Sequence, residues 1–312
     1  MLKSLQIGAA VGALLAIGLT AARAEDTYIP IISKGFQHQF WQAVKLGAEQ
    51  AAKADNVKIT FEGPETEAMV DKQIDMLSAA LAKKPAAIGF AALDSKAAIP
   101  LLKKAQAAKE PVIAFDSGVD SDIPATTCTT DNIAAAGMAA DKMAEMIGDE
   151  GEVAAVVHDQ TSRTGIDRRD GFLKTMKEKH PKVKVVDVQY GAGDQLKSTE
   201  ITKAILQSHP NLKGMFGANE GSIIGVLNGV KEMKKKIVVI GYDSGKQQKA
   251  AIASGEEAGA ITQNPIGIGA CVVDSAVKAL KGETLPKIID TGFYWYDKSN
   301  IGDAKIAAVL YD

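Results

Sequence analysis

The sequence reads IAFDSG at residues 113–118 and IGYDSG at 240–245, with Asp116 and Asp243 at equivalent points. A carboxylate has two oxygens and can take two neighbouring hydroxyl donors in charge-assisted bonds, so a duplicated aspartate suits a hydroxyl-rich ligand. Asp-Ser-Gly is also ordinary turn chemistry. Here, however, it ends an apolar run each time, PVIAFD and KIVVIGYD, of the kind that makes a buried parallel strand. A second pair lies upstream at nearly the same spacing: FAALDS ends a run near Asp94, and FGANEGS ends another near Glu220. Polar groups therefore recur at strand ends in two halves of one plan. Open α/β sheets bind ligands at the carboxyl ends of their strands, and two such edges facing each other make a cleft.

Other chemistries find less support. The four histidines, His38, His158, His180 and His209, show no metal-ligand spacing. No dinucleotide or phosphate-cradling glycine motif follows the first strand, and no G-x-S-x-G nucleophile turn is present. His158, Asp159 and Ser162 lie close along the chain, but that alone does not assemble a nucleophile, a base and its orienter. The expectation is a binding protein that is not an enzyme, with no cofactor and no metal. Lys plus Arg (36) nearly balances Asp plus Glu (38), and the longest basic run is the KKK at 234–236. That argues against nucleic acid or an anionic membrane as partner and points to a small, nearly neutral ligand.

The elements that must position these groups alternate with little interruption. Strands such as YIPIIS, VKITFEG, AAIGFAAL and EVAAVVHD are followed by helices such as FWQAVKLGAEQAAKA, MVDKQIDMLSAALAKK and GIDRRDGFLKTMKEKH. Alternation with short connections predicts parallel sheets covered by helices on both faces. The first half ends near residues 129–132, where Asp131 is a candidate helix N-cap. The second ends near Thr262 and Gln263, yet a long helix, IGIGACVVDSAVKALKG, and a last strand, KIIDTGFYWY, remain. Returning them to the first half gives three crossings, near 129–132, 262–265 and 290–293. Several crossings allow bending and limit twisting, as closure around a ligand requires. The predicted lobes are 25–129 with 264–290, and 130–263 with 291–312.

Residues 1–24 read as a secretory signal peptide: Lys3, a short apolar stretch, then Ala22-Arg23-Ala24 as the cleavage site. An exported protein of the bacterial periplasm is expected. Cys128 and Cys271 are the only cysteines. An oxidising compartment allows them to pair, but both lie in apolar runs where cysteine serves as a small hydrophobe; the unpaired state is the preferred reading.

Seven segments in order, FWQAVKLGAEQAA, IAFDSG, TTDN, TGIDRRDGF, GMFGANEGS, VVIGYDSG and AGAITQNP, carry a resemblance over essentially the whole mature chain. The chain resembles the periplasmic binding proteins of the ribose-binding type, the solute receptors of bacterial ABC sugar importers. The resemblance implies two Rossmann-like lobes joined by three hinge strands, closure on a sugar or polyol in the cleft, and delivery to a membrane permease by a monomer. A chemoreceptor is an alternative partner.

Site residues follow from the resemblance position by position. Phe40 and Trp41 match the aromatic pair that packs on the sugar ring, and His38 stands where asparagine is usual. Asp116 and Asp243 match the hydroxyl-accepting acids, with Ser117 where ribose binders carry arginine. Arg168 matches the arginine before Gly-Phe, with Arg169 the alternative register. Asn219 and Gln263 match the remaining polar contacts, and Asp159 replaces an apolar wall residue. Ala91 and Gly193 replace an asparagine and an aromatic. These departures imply a roomier and more acidic pocket than a ribose site, suited to another monosaccharide, a sugar alcohol or an amino sugar.

Overall fold

Apolar, β-branched runs form the strands, and the alanine-rich amphipathic segments between them form the covering helices. The computed structural model describes residues 27–312; the predicted signal peptide lies outside the described residues. The first series is β1 (Tyr28–Ile32), α1 (Gln39–Asp55), β2 (Lys58–Glu62), α2 (Val70–Ala82), β3 (Ile88–Phe90), α3 (Ile99–Ala107), β4 (Val112–Phe115) and β5 (Thr126–Thr129). The second is α4 (Asn132–Ile147), β6 (Gly151–Val157), α5 (Arg163–Lys179), β7 (Val183–Tyr190), α6 (Gln195–Ser208) and β8 (Leu212–Gly217). It continues with α7 (Glu220–Glu232), β9 (Val238–Tyr242), α8 (Lys246–Ser254) and β10 (Gly259–Gln263). The chain ends in α9 (Pro265–Leu280), β11 (Ile288–Asp290), β12 (Phe293–Tyr296) and the short α10 (Ala304–Ala307).

Two six-stranded sheets result, ordered β11-β5-β4-β3-β1-β2 and β12-β10-β9-β8-β6-β7. The order reverses beside β1 in the first sheet and beside β6 in the second, and a crevice opens at the carboxyl ends of strands where that happens. All pairings in the first sheet are parallel. The second departs from the all-parallel expectation in one place, since β12 runs antiparallel to β10. The predicted single last strand is in fact two: β11 joins the first sheet, β12 the second, with Gly292 (φ 81°) between them. A left-handed glycine gives the chain the turn it needs to leave one sheet and enter the other.

Helix α9 returns to the first lobe and packs on α1 and on the β4–β5 face, in a core that includes Trp41, Ile113, Phe115 and Val272. Gly269 lets the two helices touch, because a Cβ there would strike the backbone of Val44. The second lobe centres on Met143, Val153, Ile240 and the stacked pair Phe172–Phe216, ring centroids 4.8 Å apart.

The preference for unpaired cysteines is corrected. Cys128 on β5 and Cys271 on α9 form a disulfide, with Cα atoms 6.0 Å apart. Both are in apolar surroundings, as predicted, but α9 lies directly over β5. Sequence distance concealed that proximity.

Candidate functional site

Asp116 and Asp243 follow β4 and β9, and both hold left-handed backbone, φ 53° and 80°. Their N–H groups make equivalent bonds: Asp116 donates to the Cys128 carbonyl (2.8 Å) and Asp243 to the Ile261 carbonyl (2.7 Å). Aspartate tolerates this region better than most residues, and such outliers persist where surrounding structure holds them. Both carboxylates line a narrow cavity between the lobes of about 20 Å³, the space of little more than one water, so the lobes stand nearly shut upon it.

The two acids are not equivalent in their bonding. Asp243 accepts from Gln263 Nε2 (2.8 Å) and from the backbone N–H of Glu220 (2.9 Å). Among the described residues no protein donor reaches the Asp116 carboxylate, although Asp116 is only 4% exposed. Burial drives its pKa up to about 6; Lys34 and Arg168 oppose that rise, and Glu67 and Asp243 add to it. A buried carboxylate without donors is poised to accept hydrogen bonds from a ligand.

Phe40 and Trp41 stand in the first turn of α1 and meet edge to face with centroids 4.9 Å apart. Both line the cavity and both belong to the first-lobe core, so platform and packing are one feature. His38 lines the cavity too. Its Nε2 lies 3.1 Å from Gln37 Nε2, and its buried Nδ1 has no partner among the described residues.

Arg168, not Arg169, reaches the cavity. Its Nε donates to Asn132 Oδ1 (2.8 Å) and its Nη1 to the Ala218 carbonyl (2.9 Å), while the guanidinium lies 3.8 Å from the centre of the Tyr242 ring. Arg169 instead pairs with Asp170 (2.7 Å) at the surface. Gln263 serves hinge and site together. Its Oε1 accepts from Thr130 at the first crossing (2.9 Å) while its Nε2 holds Asp243. Asn219 spends its oxygen capping α7, accepting from Ser222 N–H (2.9 Å), which leaves the amide donor for the cavity.

Two expected residues are not at the cavity. Ser117 is fully buried but does not line it; successive residues point to opposite sides, and Asp116 takes the cavity side. Asp159 tightens the turn into α5, accepting from Thr161 N–H (2.9 Å), Ser162 N–H (2.6 Å) and Ser162 Oγ (2.7 Å). Of the upstream pair, Asp94 caps its own turn at Lys96 and Ala97, and Glu220 bonds elsewhere than the cavity.

The sequence reading missed Lys34, Glu67, His158 and Thr164. Lys34 lies two residues past the end of β1, close enough that a strand-end rule one residue wider than the one that marked Asp116 would have found it. Its ammonium donates to Thr164 Oγ1 (3.2 Å) and lies 3.8 Å from Glu67. Glu67 sits in an aperiodic loop with no local signal, and accepts from Trp41 Nε1 (2.7 Å). Burial alone would raise the Glu67 pKa, but Lys34, His38, His158 and the Trp41 donor hold it below its ordinary value. Burial, with Lys34, depresses His158 to about 3, so its ring is neutral at physiological pH.

These residues make the pocket narrower than expected and bring a second cation, Lys34, into it. Gly193 leaves little open space, because His38, Glu67 and Asn219 crowd the place where a Cβ would sit. Formally, Lys34 and Arg168 face Glu67, Asp243 and the easily protonated Asp116, a nearly balanced set. Such a site favours a neutral, hydroxyl-bearing ligand.

A family model for the periplasmic binding protein domain matches residues 29–284. The D-allose-binding periplasmic protein of Escherichia coli is 28% identical over 291 residues, covering 89% of this chain and 92% of that protein. A carbohydrate solute-binding protein from Agrobacterium radiobacter, solved with D-arabinose, superposes with TM-score 0.88 at 33% identity, covering 91% of this chain and 98% of that one. An ABC transporter solute-binding protein from Agrobacterium vitis, bound to α-D-tagatopyranose, gives TM-score 0.88 at 32% identity, covering 91% and 99%.

Proposed function

The chain belongs to the periplasmic binding protein family, and from that premise we propose that it captures one neutral monosaccharide or related polyol between its lobes and delivers it to an ABC importer's permease. The observation that carries the reading is the Asp116 carboxylate, buried at the cavity without a protein donor among the described residues. Vicinal hydroxyls of a sugar supply the missing donors, and Phe40 and Trp41 offer faces for its C–H groups. The relatives supply the class: proteins similar over most of the chain bind D-allose, D-arabinose and D-tagatose.

In this reading the mature protein works as a monomer in the periplasm after loss of residues 1–24. The lobes are 25–129 with 264–290 and 130–263 with 291–312. His38, Phe40, Trp41, Asp116, Arg168, Asn219, Asp243 and Gln263 hold the ligand, together with Lys34 and Glu67. Calorimetry against D-allose, D-ribose, D-arabinose, D-tagatose, pentitols and amino sugars is the test. One site per chain at micromolar affinity or tighter is expected, with a smaller radius of gyration by X-ray scattering when bound. No heat from any of these compounds refutes the sugar reading.

A further inference from the structure

Two helices that face each other across the cleft start without a cap of their own. Helix α1 begins at Gln39 after His38, whose side chain makes no capping bond, and α8 begins at Lys246 after Gly245, which has no side chain to offer. The first N–H groups of a helix have no partner within it and must find one elsewhere. Here each helix finds it on the opposite lobe. The α1 donors, Gln39 N–H and Phe40 N–H, meet Glu220 Oε1 (3.0 Å) and Oε2 (3.1 Å), at the start of α7. The α8 donor, Lys246 N–H, meets Gln39 Oε1 (2.8 Å).

The exchange is close and buried. Glu220 is 4% exposed, Tyr311 Oη donates to its Oε2 (3.3 Å), and its own N–H holds Asp243 (2.9 Å). Gly221 makes the approach possible, since a Cβ there would strike the Gly193 carbonyl and crowd His38. A carboxylate at a helix N-terminus is also favoured by the helix dipole. Neither Glu220 nor Gln39 lines the cavity. Parting the lobes strips both helices of their caps at once.

We propose that Glu220 and Gln39 form a reciprocal latch that positions the Phe40–Trp41 platform against Asp243 and sets how long the closed form lasts, without touching ligand. Glu220 is thus a positioning residue: its carboxylate fixes the start of α1 and its N–H fixes the second-lobe acid. The proposal rests on the sugar-capturing reading for its role in uptake, but the latch itself is read without any ligand.

The assay is disulfide trapping of the closed form. Ser95 N–H donates to the Thr161 carbonyl across the lobes (3.0 Å), so cysteines at these two positions lie within disulfide reach when closed. In the ligand-free Ser95→Cys, Thr161→Cys background, adding Glu220→Ala should slow trapping about tenfold and Gln39→Ala a few-fold, from the loss of one or two hydrogen bonds. Glu220→Gln keeps an acceptor oxygen and should recover part of the rate. For the panel sugar that binds best, Glu220→Ala should raise the dissociation rate by a similar factor with association nearly unchanged. The ligand-free melting temperature should stay at the parent value. Unchanged trapping by both alanine variants overturns the latch, as does slowed trapping matched by a fall in melting temperature, which marks a folding role. If no sugar binds the parent protein, the sugar reading falls and trapping still decides the latch.

Discussion

Replacing Asp116 by asparagine should stabilise the ligand-free protein while weakening it as a receptor. Burial raises the Asp116 carboxyl from 3.8 to about 6. The sign follows from proton counting. Between the two pKa values the folded state holds a proton that the unfolded state releases. The associated stability is full below about pH 4 and is lost as pH rises through about 6. A displacement of about two pKa units at 1.36 kcal/mol each makes the ionised group cost the empty fold about 3 kcal/mol at neutral pH. Asparagine escapes this cost, less about 1 kcal/mol for an amide whose donors must find partners. At about 2–4 °C per kcal/mol for a chain of this size, Asp116→Asn should melt several degrees higher at pH 7. Its advantage should shrink as pH falls below 6, cross zero between about pH 4 and 5, and reverse by about 1 kcal/mol below that. The same change removes a charged acceptor from the cavity, worth about 1.5–3 kcal/mol for a charge-assisted bond, so sugar affinity should fall about tenfold or more. Calorimetric melts at half-unit pH steps, paired with titrations at pH 7, measure both effects. Parallel pH–stability curves for the two proteins would refute the assignment of Asp116 as the strained, donor-starved acid.

Arg168→Ala should lower both stability, by about 3–5 kcal/mol, and affinity, by at least tenfold. It strips the donor from the Ala218 carbonyl and removes a buried cation from among Asp116, Asp243 and Glu67. Arg169→Ala breaks a surface pair with Asp170 and a longer bond to Tyr190 Oη (3.3 Å), and should change denaturant midpoint and affinity little; the reverse order in paired denaturant and calorimetric measurements would mean the register is off by one. Replacing Cys128 and Cys271 together by serine should cost about 2–5 kcal/mol by urea unfolding while leaving sugar affinity unaltered, because neither residue lines the cavity.

Much of this architecture was legible because it rests on local pattern. Alternating apolar runs and amphipathic segments located the strands and helices, and the surplus helix and strand after Gln263 announced that the chain returns to its first sheet. Strand-end acids were legible for the same reason. What escaped depends on where distant pieces meet. Glu67 lies in a loop with no period, and it becomes a cavity residue only because Trp41 and Lys34 are brought to it. Asp159 looks like a pocket wall in sequence but satisfies three donors in its own turn, a local competition that only geometry reveals. The disulfide shows the same limit, since its partners belong to β5 and a helix that arrives from the far end of the chain.

The duplication explains why one acid is spoken for and the other is not. Both copies supply a left-handed aspartate at a strand end, with the same backbone bond to the next strand. In the second lobe the acid is wired into the machinery of closure: Gln263 ties it to Thr130 at one crossing, and Glu220 ties it to the helix start that carries the aromatics. In the first lobe no donor among the described residues reaches the equivalent carboxylate, and burial raises it further than Lys34 and Arg168 lower it. On the proposed function, closing the lobes buries an acid that becomes comfortable only when hydroxyl donors arrive with it. The latch residues hold the shut form whatever the cavity contains, whereas Asp116 opposes shutting on nothing. Ligand selectivity in closure then comes from the balance of the two, a differential interaction with open and closed states that population shift requires. Weakening Glu220 tilts that balance toward open, and neutralising Asp116 tilts it toward closed without sugar.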